Sequence, residues 1–275
     1  CRYKMNTTQK IIKYLAIAFA VFLIVTIISA ILTGLYALSN VLGLRNDNET
    51  IGEMKTIEIE ESQITTLDID VAFTNLIIKI DDSFKIETNN NNINYNQDNQ
   101  NIQITEKAHK WFERNYNGDL ILYIPETIEF EKVKINAGAG KINIENLNTE
   151  ELELELGAGE TEIKTLNVTR DCNIDGGAGK FSILSGNINN LDLDIGMGET
   201  NLTAKLKGKS DIDAGVGNVN ITLLGNKEDY KIDIDKGLGN INIDEDSFDV
   251  DGTYGTGETF IKVDGGVGNI KVDFE

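Results

Sequence analysis

Carboxylates recur at two fixed positions along the C-terminal half of the chain. One set stands two residues before a glycine, at Glu155, Asp175, Asp194, Asp213, Asp235 and Asp264. The other stands four residues before it, at Glu153, Asp192, Asp211, Asp233 and Asp251. Residues two apart on a strand point to the same face of a sheet. The spacing therefore predicts a face of paired acids, a pattern that suits calcium binding or glycoside hydrolysis.

Calcium takes oxygen ligands from carboxylates, and it is the metal that such a face would bind. The predicted ligands are Asp192, Asp194, Asp211, Asp213, Asp233 and Asp235. Like charges directly opposite one another destabilise a sheet unless salt, protonation or a bound cation offsets them. The known calcium-binding repeat, Gly-Gly-x-Gly-x-Asp, is absent because no Asp follows the second glycine at that place. A solvated face that binds ions only weakly is the alternative interpretation.

The same carboxylates argue against an enzyme. Every repeat offers the same acidic pair, whereas catalysis needs one singular arrangement beside a substrate cleft. The glycine motifs are not phosphate loops, because no helical pattern follows any of them. His109, the only histidine, has no nucleophile partner. We therefore expect a protein without catalytic residues and without a cofactor.

The acids are positioned by a Gly-x-Gly motif that recurs about every 19 residues. Its copies begin at Gly138, Gly157, Gly177, Gly196, Gly215, Gly237, Gly255 and Gly266. An aliphatic residue stands three before the first glycine in every copy except one, and four after the second glycine in all of them. Polar and apolar residues alternate in between, as is typical of half-buried strands. Each repeat thus predicts a strand, a glycine corner, a second strand and a turn.

A single repeat cannot bury its apolar side alone, so successive repeats must stack. The sequence predicts an all-β fold, with a parallel β-solenoid of Gly-x-Gly repeats over residues 133–275. Residues 55–132 alternate without the glycine motif and predict an N-terminal β cap region. Within it, the segment 70–74 stands as a degenerate first copy of the corner. The Asn-rich tract Asn89–Asn101 predicts a hairpin.

Charges and amides at equivalent positions favour parallel, in-register stacking. Lys141, Glu160, Lys180 and Glu199 follow the second glycine in successive repeats, so stacking would form cross-strand ion pairs. The residue three places after the second glycine is asparagine in several repeats, which suits stacked amide ladders. These residues are Asn143, Asn201, Asn220 and Asn242. An antiparallel meander, the competing arrangement, would pair different positions.

An insertion within the cap region carries the residues His109, Trp111 and Phe112. We interpret it as a cap that packs its aromatic rings onto the end of the solenoid. An interaction loop formed by the same three residues is the alternative.

Residues 14–38 form a run of 25 residues without a charged side chain. That length spans a bilayer with some tilt, so it predicts a single transmembrane helix. Four basic residues and no acid precede residue 45, which places residues 1–13 in the cytoplasm. Residues 39–54 then form a linker, and the remainder of the chain lies outside the cell. A cleaved signal peptide is the alternative.

The chain carries a formal net charge of −20, from 25 basic and 45 acidic residues. Such an acidic protein has no affinity for the phosphate backbone, so nucleic acid is excluded as a partner. The charge also opposes flat binding to an anionic lipid surface.

Three neighbouring stretches carry a family resemblance: Leu120–Pro125, Phe130–Asn136 and Ala137–Leu147. A strand that ends in proline and is followed by Gly-Ala-Gly resembles the "putative adhesin", or toast-rack β-strand-repeat, family of bacterial envelope proteins. The resemblance covers roughly residues 50–275. It implies a membrane-anchored β-solenoid in the cell envelope, and it supplies no catalytic residues. Some relatives are encoded beside envelope-stress signalling systems.

These observations predict a non-enzymatic, single-pass membrane protein that presents an acidic β-solenoid for surface interaction. It would act as an adhesin or as an accessory to envelope-stress signalling, with envelope proteins or a cell-wall or surface ligand as partners. One alternative is a structural spacer or self-assembling scaffold, because the last strand, 270–274, has no obvious cap. Another alternative is a calcium-binding extracellular module.

Overall fold

The fold is all-β, as predicted, in a computed structural model that describes Thr26 and residues 52–59, 64–107, 118–244, 246–248 and 252–275. The insertion with His109, Trp111 and Phe112 lies outside these residues. So does the predicted span 14–38, apart from Thr26, which is helical. Among the described residues, no helix is long and apolar enough to cross a membrane.

The described chain forms strands joined by short turns and one turn of 3-10 helix, Lys227–Asp229. The strands are β1 Lys55–Glu58, β2 Thr66–Val71, β3 Asn75–Ile80, β4 Lys85–Thr88, β5 Ile93–Asp98, β6 Asn101–Glu106, β7 Asp119–Ile124, β8 Phe130–Ile183, β9 Gly186–Asn189, β10 Leu191–Lys207, β11 Lys209–Leu223, β12 Tyr230–Leu238, β13 Ile241–Ile243, β14 Asp246–Phe248, β15 Gly252–Tyr254 and β16 Thr259–Phe274.

Successive Gly-x-Gly repeats stack in parallel and in register. β10 pairs with β8 on one side and with β11 on the other, so Met197 lies opposite both Ala178 and Val216. Equivalent residues of adjacent repeats are therefore one strand spacing apart, about 4.8 Å. We call each such repeat a coil and the whole arrangement the stack. The competing antiparallel meander is wrong for these repeats.

The stack begins before residue 133, where we expected the regular repeats to start. β2 pairs in parallel with the beginning of β8, and Val71 lies opposite Ala137. After the corner, β3 pairs with the same strand, and Leu76 lies opposite Ile142. The degenerate copy at 70–74 therefore forms the corner of a coil, as predicted.

The coils at the C-terminal end are not stacked in chain order. β16 pairs with β11 along one side and with β12 along the other, so the last coil of the chain is inserted between two earlier ones. The copy that begins at Gly255 forms no coil, because β15 runs antiparallel beside β12 just before it. Our expectation that all eight copies stack in sequence is wrong at these two places. The interval of 11 residues between Gly255 and Gly266 is too short for a coil.

Antiparallel strands close both ends of the parallel stack. At the N-terminal end β4 covers β7, β1 covers β4, and β5 covers β6. At the other end β15 covers β12 and β14 covers β13. The final strand is not an edge, because Ile270 lies opposite both Val219 and Ile241. The prediction of an uncapped C-terminal strand is therefore wrong.

The inward side chains form one continuous aliphatic core. The residues three before each corner are buried, with exposed fractions of 3% or less, at Ile135, Leu154, Ile174, Leu193, Ile212, Val263 and Ile234. Full burial of such a side chain stabilises the fold by about 1.5–3 kcal/mol. Outward neighbours remain polar, which reproduces the alternation seen in the sequence.

The corners need glycine because adjacent coils touch there through their backbones. Gly198 has a φ of 139°, and a Cβ atom on it would overlap the carbonyl oxygen of Gly179 in the next coil. Gly217 stands in the same relation to Gly198, with a φ of 148°. Both the backbone conformation and the lack of space exclude other residues.

Candidate functional site

One outward face of the stack carries a column of carboxylates, as the sequence predicted. Asp194 lies opposite both Asp175 and Asp213, and Asp213 also lies opposite Asp264. Asp235 closes the column beside Asp264. We call these residues, with the parallel column that contains Asp192 and Asp211, the acidic face. It is held by the pairing of β8, β10, β11, β16 and β12.

The second column of the acidic face is interrupted by a lysine. Asp192 lies opposite Asp211, but the next residue in register is Lys262, followed by Asp233. We expected Asp233 and Asp235 to adjoin Asp211 and Asp213, and this is wrong because β16 separates the two pairs. Lys262 could have been found in the sequence, since it stands four residues before Gly266.

Three carboxylates around this lysine lie close together. Ligand oxygens of Asp211, Asp213 and Asp264 are all within 4.8 Å of one another. Lys262 Nζ lies 3.5 Å from Asp211 Oδ1 and donates a short hydrogen bond to Asp264. Desolvation, together with the negative charge of Asp264, raises the pKa of Asp213 to about 6. An ammonium group thus already neutralises part of this cluster.

The centre of the acidic face has no such compensation. Asp175, Asp192 and Asp194 form no ion pair with any described residue. Desolvation, followed by the charges of Asp175 and Asp192, raises the pKa of Asp194 above its usual value. No cationic side chain among the described residues offsets the repulsion between these carboxylates.

Towards the N-terminal end, lysines again neutralise the face. Lys134 Nζ lies 2.6 Å from Glu153 Oε1 and 3.3 Å from Glu155 Oε1. Lys132 Nζ adds a contact of 3.3 Å to Glu153. The hydrogen bond from Lys134 lowers the pKa of Glu153, because it favours the charged carboxylate.

A shallow groove of about 680 Å³ runs beside the acidic face at the corner. Its walls include the carboxylates of Asp70, Glu155, Asp175 and Asp194 and the backbone of the corner glycines. Lined by acids and bare backbone, the groove favours cationic groups or hydrogen-bond donors and repels anions.

The strands beyond the corner carry the neutral and paired polar groups that we predicted. Lys141 Nζ lies 3.2 Å from Glu160 Oε2, and Lys180 Nζ lies 4.0 Å from Glu199 Oε1. Asn220 Nδ2 donates to Asn201 Oδ1 at 2.9 Å. This side of the corner therefore stabilises the stacking register without adding net charge.

Comparison with solved structures finds proteins of similar fold. A putative cell adhesion protein from Clostridium sporogenes is 16% identical, with a TM-score of 0.39 over 81% of this chain and 99% of that chain. A putative adhesin from Bacteroides fragilis is 13% identical, with a TM-score of 0.35 over 80% of this chain and 95% of that chain. Comparison with curated proteins finds no match.

A family model covers the region that builds the stack. It matches residues 53–268, which include the N-terminal cap strands, every Gly-x-Gly corner and the acidic face. The match agrees with the resemblance carried by the strand-proline and Gly-Ala-Gly stretches. The chain belongs to the Toastrack DUF4097 family.

Proposed function

We propose that this chain is a non-enzymatic, membrane-anchored protein of the cell envelope that presents its β-solenoid for surface interaction. The acidic face is the observation that carries the proposal. Its carboxylates recur in every coil from Asp175 to Asp235, so it offers one extended surface instead of a singular catalytic cleft. A rigid surface of one charge sign selects cationic partners and repels anionic ones.

The membrane anchor in this proposal rests on the uncharged run 14–38 and the bases before it. The N-terminus is cytoplasmic and the stack lies outside the cell. Protease added to intact cells would then remove the stack and leave an N-terminal fragment in the membrane fraction. A chain that resists protease in intact cells but not in lysed cells would contradict this orientation.

Crosslinking in intact cells tests the surface interaction. A photo-reactive amino acid replaces Asp192 on the acidic face, and a control replaces Lys164, an exposed residue beyond the corner. Capture of an envelope protein, a wall polymer or a foreign surface from position 192 alone supports the proposal. Equal capture from both positions, or none from either, contradicts it.

A self-assembling scaffold is the alternative, and the caps at both ends of the stack count against it. End-to-end growth proceeds along long strand edges, whereas the outermost described strands are short: β14 and β15 have three residues each, β1 has four and β5 has six. Capture of only further copies of this chain from position 192 would favour the scaffold.

A calcium-binding module is a second candidate, favoured by the uncompensated carboxylates of Asp175, Asp192 and Asp194. Calcium takes six to eight oxygen ligands, so water would complete its coordination on this open face. Binding to the folded state alone would raise the melting temperature. A melting temperature that millimolar calcium leaves unchanged would remove this candidate.

A further inference from the structure

Three neighbouring outward side chains, Lys205, Lys207 and Lys209, form a separate surface that we call the lysine edge. β10 ends at Lys207, Gly208 turns the chain with a φ of 74°, and β11 begins at Lys209. All three lysines are exposed. Their ammonium groups form no ion pair and no hydrogen bond with any described residue.

Most of the described basic side chains have a carboxylate partner, as expected for a chain in which acids outnumber bases by 45 to 25. Elsewhere in the described chain, basic side chains bind carboxylates within 4.0 Å, at Lys85, Lys132, Lys134, Lys141, Lys164, Arg170, Lys180, Lys227, Lys262 and Lys271. Lys55, Lys79 and Lys231 also lack an ion pair with a described residue, but Lys55 donates to Asn91, and Lys79 and Lys231 lie over aromatic rings. Lys107 lacks one too, but it stands alone, whereas the lysine edge gathers three such lysines within five residues.

The neighbours in register explain why no carboxylate pairs with these lysines. Lys205 lies opposite Asn187, Lys207 opposite Asn189, and Lys209 opposite Phe260. On this side of each lysine the neighbour in register is thus an amide or an aromatic ring and not a carboxylate. The local charge is positive although the protein is strongly acidic.

Two carboxylates near the lysine edge have other partners. Asp211, two residues beyond Lys209 on β11, is already engaged by Lys262 at 3.5 Å. Asp171, on the strand β8 that pairs with β10, accepts a hydrogen bond from Asn190 Nδ2 at 3.1 Å.

We propose that the lysine edge is a docking surface for a linear acidic polysaccharide. A polyanion gains from release of its condensed counterions on meeting several lysines, whereas a single small anion does not. Asn189 Nδ2 donates to Thr169 O and Asn187 Nδ2 to Asn167 Oδ1, which leaves both amide oxygens to accept from sugar hydroxyl groups. This surface is distinct from the acidic face, so the inference goes beyond the function proposed above.

The lysines supply charge, and the amides supply the preference for hydroxyl groups. Lysine is a compact point charge without the fork of arginine, so it attracts an anion but does not fix its orientation. Outward residues two apart on a strand are roughly 6.6 Å apart, which lets Lys205 and Lys207 contact successive charged units of an extended polymer.

Binding of polygalacturonate to the full chain in uncharged detergent tests the proposal. The variant K205Q/K207Q/K209Q is compared with K132Q/K141Q/K164Q, which removes the same charge from exposed lysines that are ion-paired. We expect the first variant to bind at least tenfold more weakly, and the control to stay within about twofold of the unmodified chain. Three lysine contacts predict that a tenfold rise in salt weakens binding about a hundredfold.

A second measurement does not depend on the variants. Polygalacturonate should slow acylation of Lys205, Lys207 and Lys209 in the unmodified chain, but leave acylation of Lys164 unchanged. Equal loss of binding in both variants, or uniform protection of all lysines, would overturn the proposal. So would equally tight binding of neutral dextran, polyphosphate or single-stranded DNA, or self-association that the first variant abolishes.

Discussion

Glu106 Oε2 lies 2.7 Å from the backbone nitrogen of Ala72 and accepts a hydrogen bond from it. The same oxygen accepts from the nitrogens of Phe73 at 3.0 Å and Thr74 at 3.3 Å. These three residues form the corner of the coil made by β2 and β3. The corner of the next coil contacts this corner from the other side, where Ala139 N donates a hydrogen bond to Ala72 O. A carboxylate on β6 thus satisfies donors that the corner directs away from the stack.

Replacement of Glu106 by alanine should destabilise the fold by about 2–3 kcal/mol. The change removes charge-assisted hydrogen bonds and leaves three backbone donors without their acceptor. Urea unfolding measures the loss. Glu126→Ala, at an exposed position without a hydrogen bond among the described residues, should cost less than about 0.5 kcal/mol. Equal stability of the two variants would show that Glu106 is dispensable.

The lack of glycine at this first corner follows from the same geometry. In the inner coils a Cβ atom on a corner glycine would strike the carbonyl oxygen of the adjacent corner. A Cβ on Gly138 would lie 2.8 Å from Ala72 O. The corner at 72–74 meets a carboxylate instead of another backbone, so Ala72 and Thr74 are tolerated at the places that Gly138 and Gly140 hold in the next coil.

Gly198→Ala should therefore prevent stacking, with a cost of more than about 3 kcal/mol or loss of folding. The methyl group would overlap Gly179 O, and the φ of 139° is unfavourable for alanine. Gly252→Ala is the matched control, because nothing lies within 4 Å of its added Cβ. Circular dichroism and limited proteolysis compare the two variants, and comparable behaviour of both would contradict the backbone-contact explanation.

The sequence alone predicted the parts of the fold that depend on local periodicity. The alternation placed Leu193 and Ile212 in the core, and the repeat placed Lys141 beside Glu160. The Asn-rich tract was correctly predicted to include a hairpin, formed by β5 and β6. These features follow from residue spacing, which a single chain displays directly.

The periodicity of the sequence could not predict the order in which the coils stack. The inward residues Ile232 and Ile234 of β12 match Ile261 and Val263 of β16 in size and polarity, so this pattern does not decide which strand lies beside β11. Only the short interval before Gly266 signalled that one copy left the stack. Because the order was missed, Lys262 was not recognised as the cation inside the acidic face.

The stability of the fold should depend on pH through Asp213. Its pKa is raised from 3.8 to about 6, so the folded protein binds a proton that the unfolded chain releases between these values. Stability should fall as the pH rises through this window and stay lower above it. Asp264, Lys262 and Asp211 face the same carboxyl group.

Asp213→Asn should remove this dependence. The variant should melt at a higher temperature than the unmodified chain at about pH 8, and the difference should vanish below about pH 4. Asp98→Asn, at an exposed site in the β5–β6 hairpin, should show no such difference. A stability difference that is the same at both pH values would mean that repulsion at Asp213 is not relieved by protonation.

The inserted position of the last coil predicts unusual protection of the C-terminal strand. Chain termini normally fray, and in a stack built in chain order residues 270–272 would lie at an open end. Here these residues pair with β11 on one side and with β13 on the other. Their amide hydrogens should therefore exchange with solvent as slowly as those of Ile212 and Leu193 in the inner coils, whereas the amides of β15 should exchange much faster. Fast exchange throughout residues 261–272 would contradict the insertion of β16 and restore a stack that follows the order of the chain.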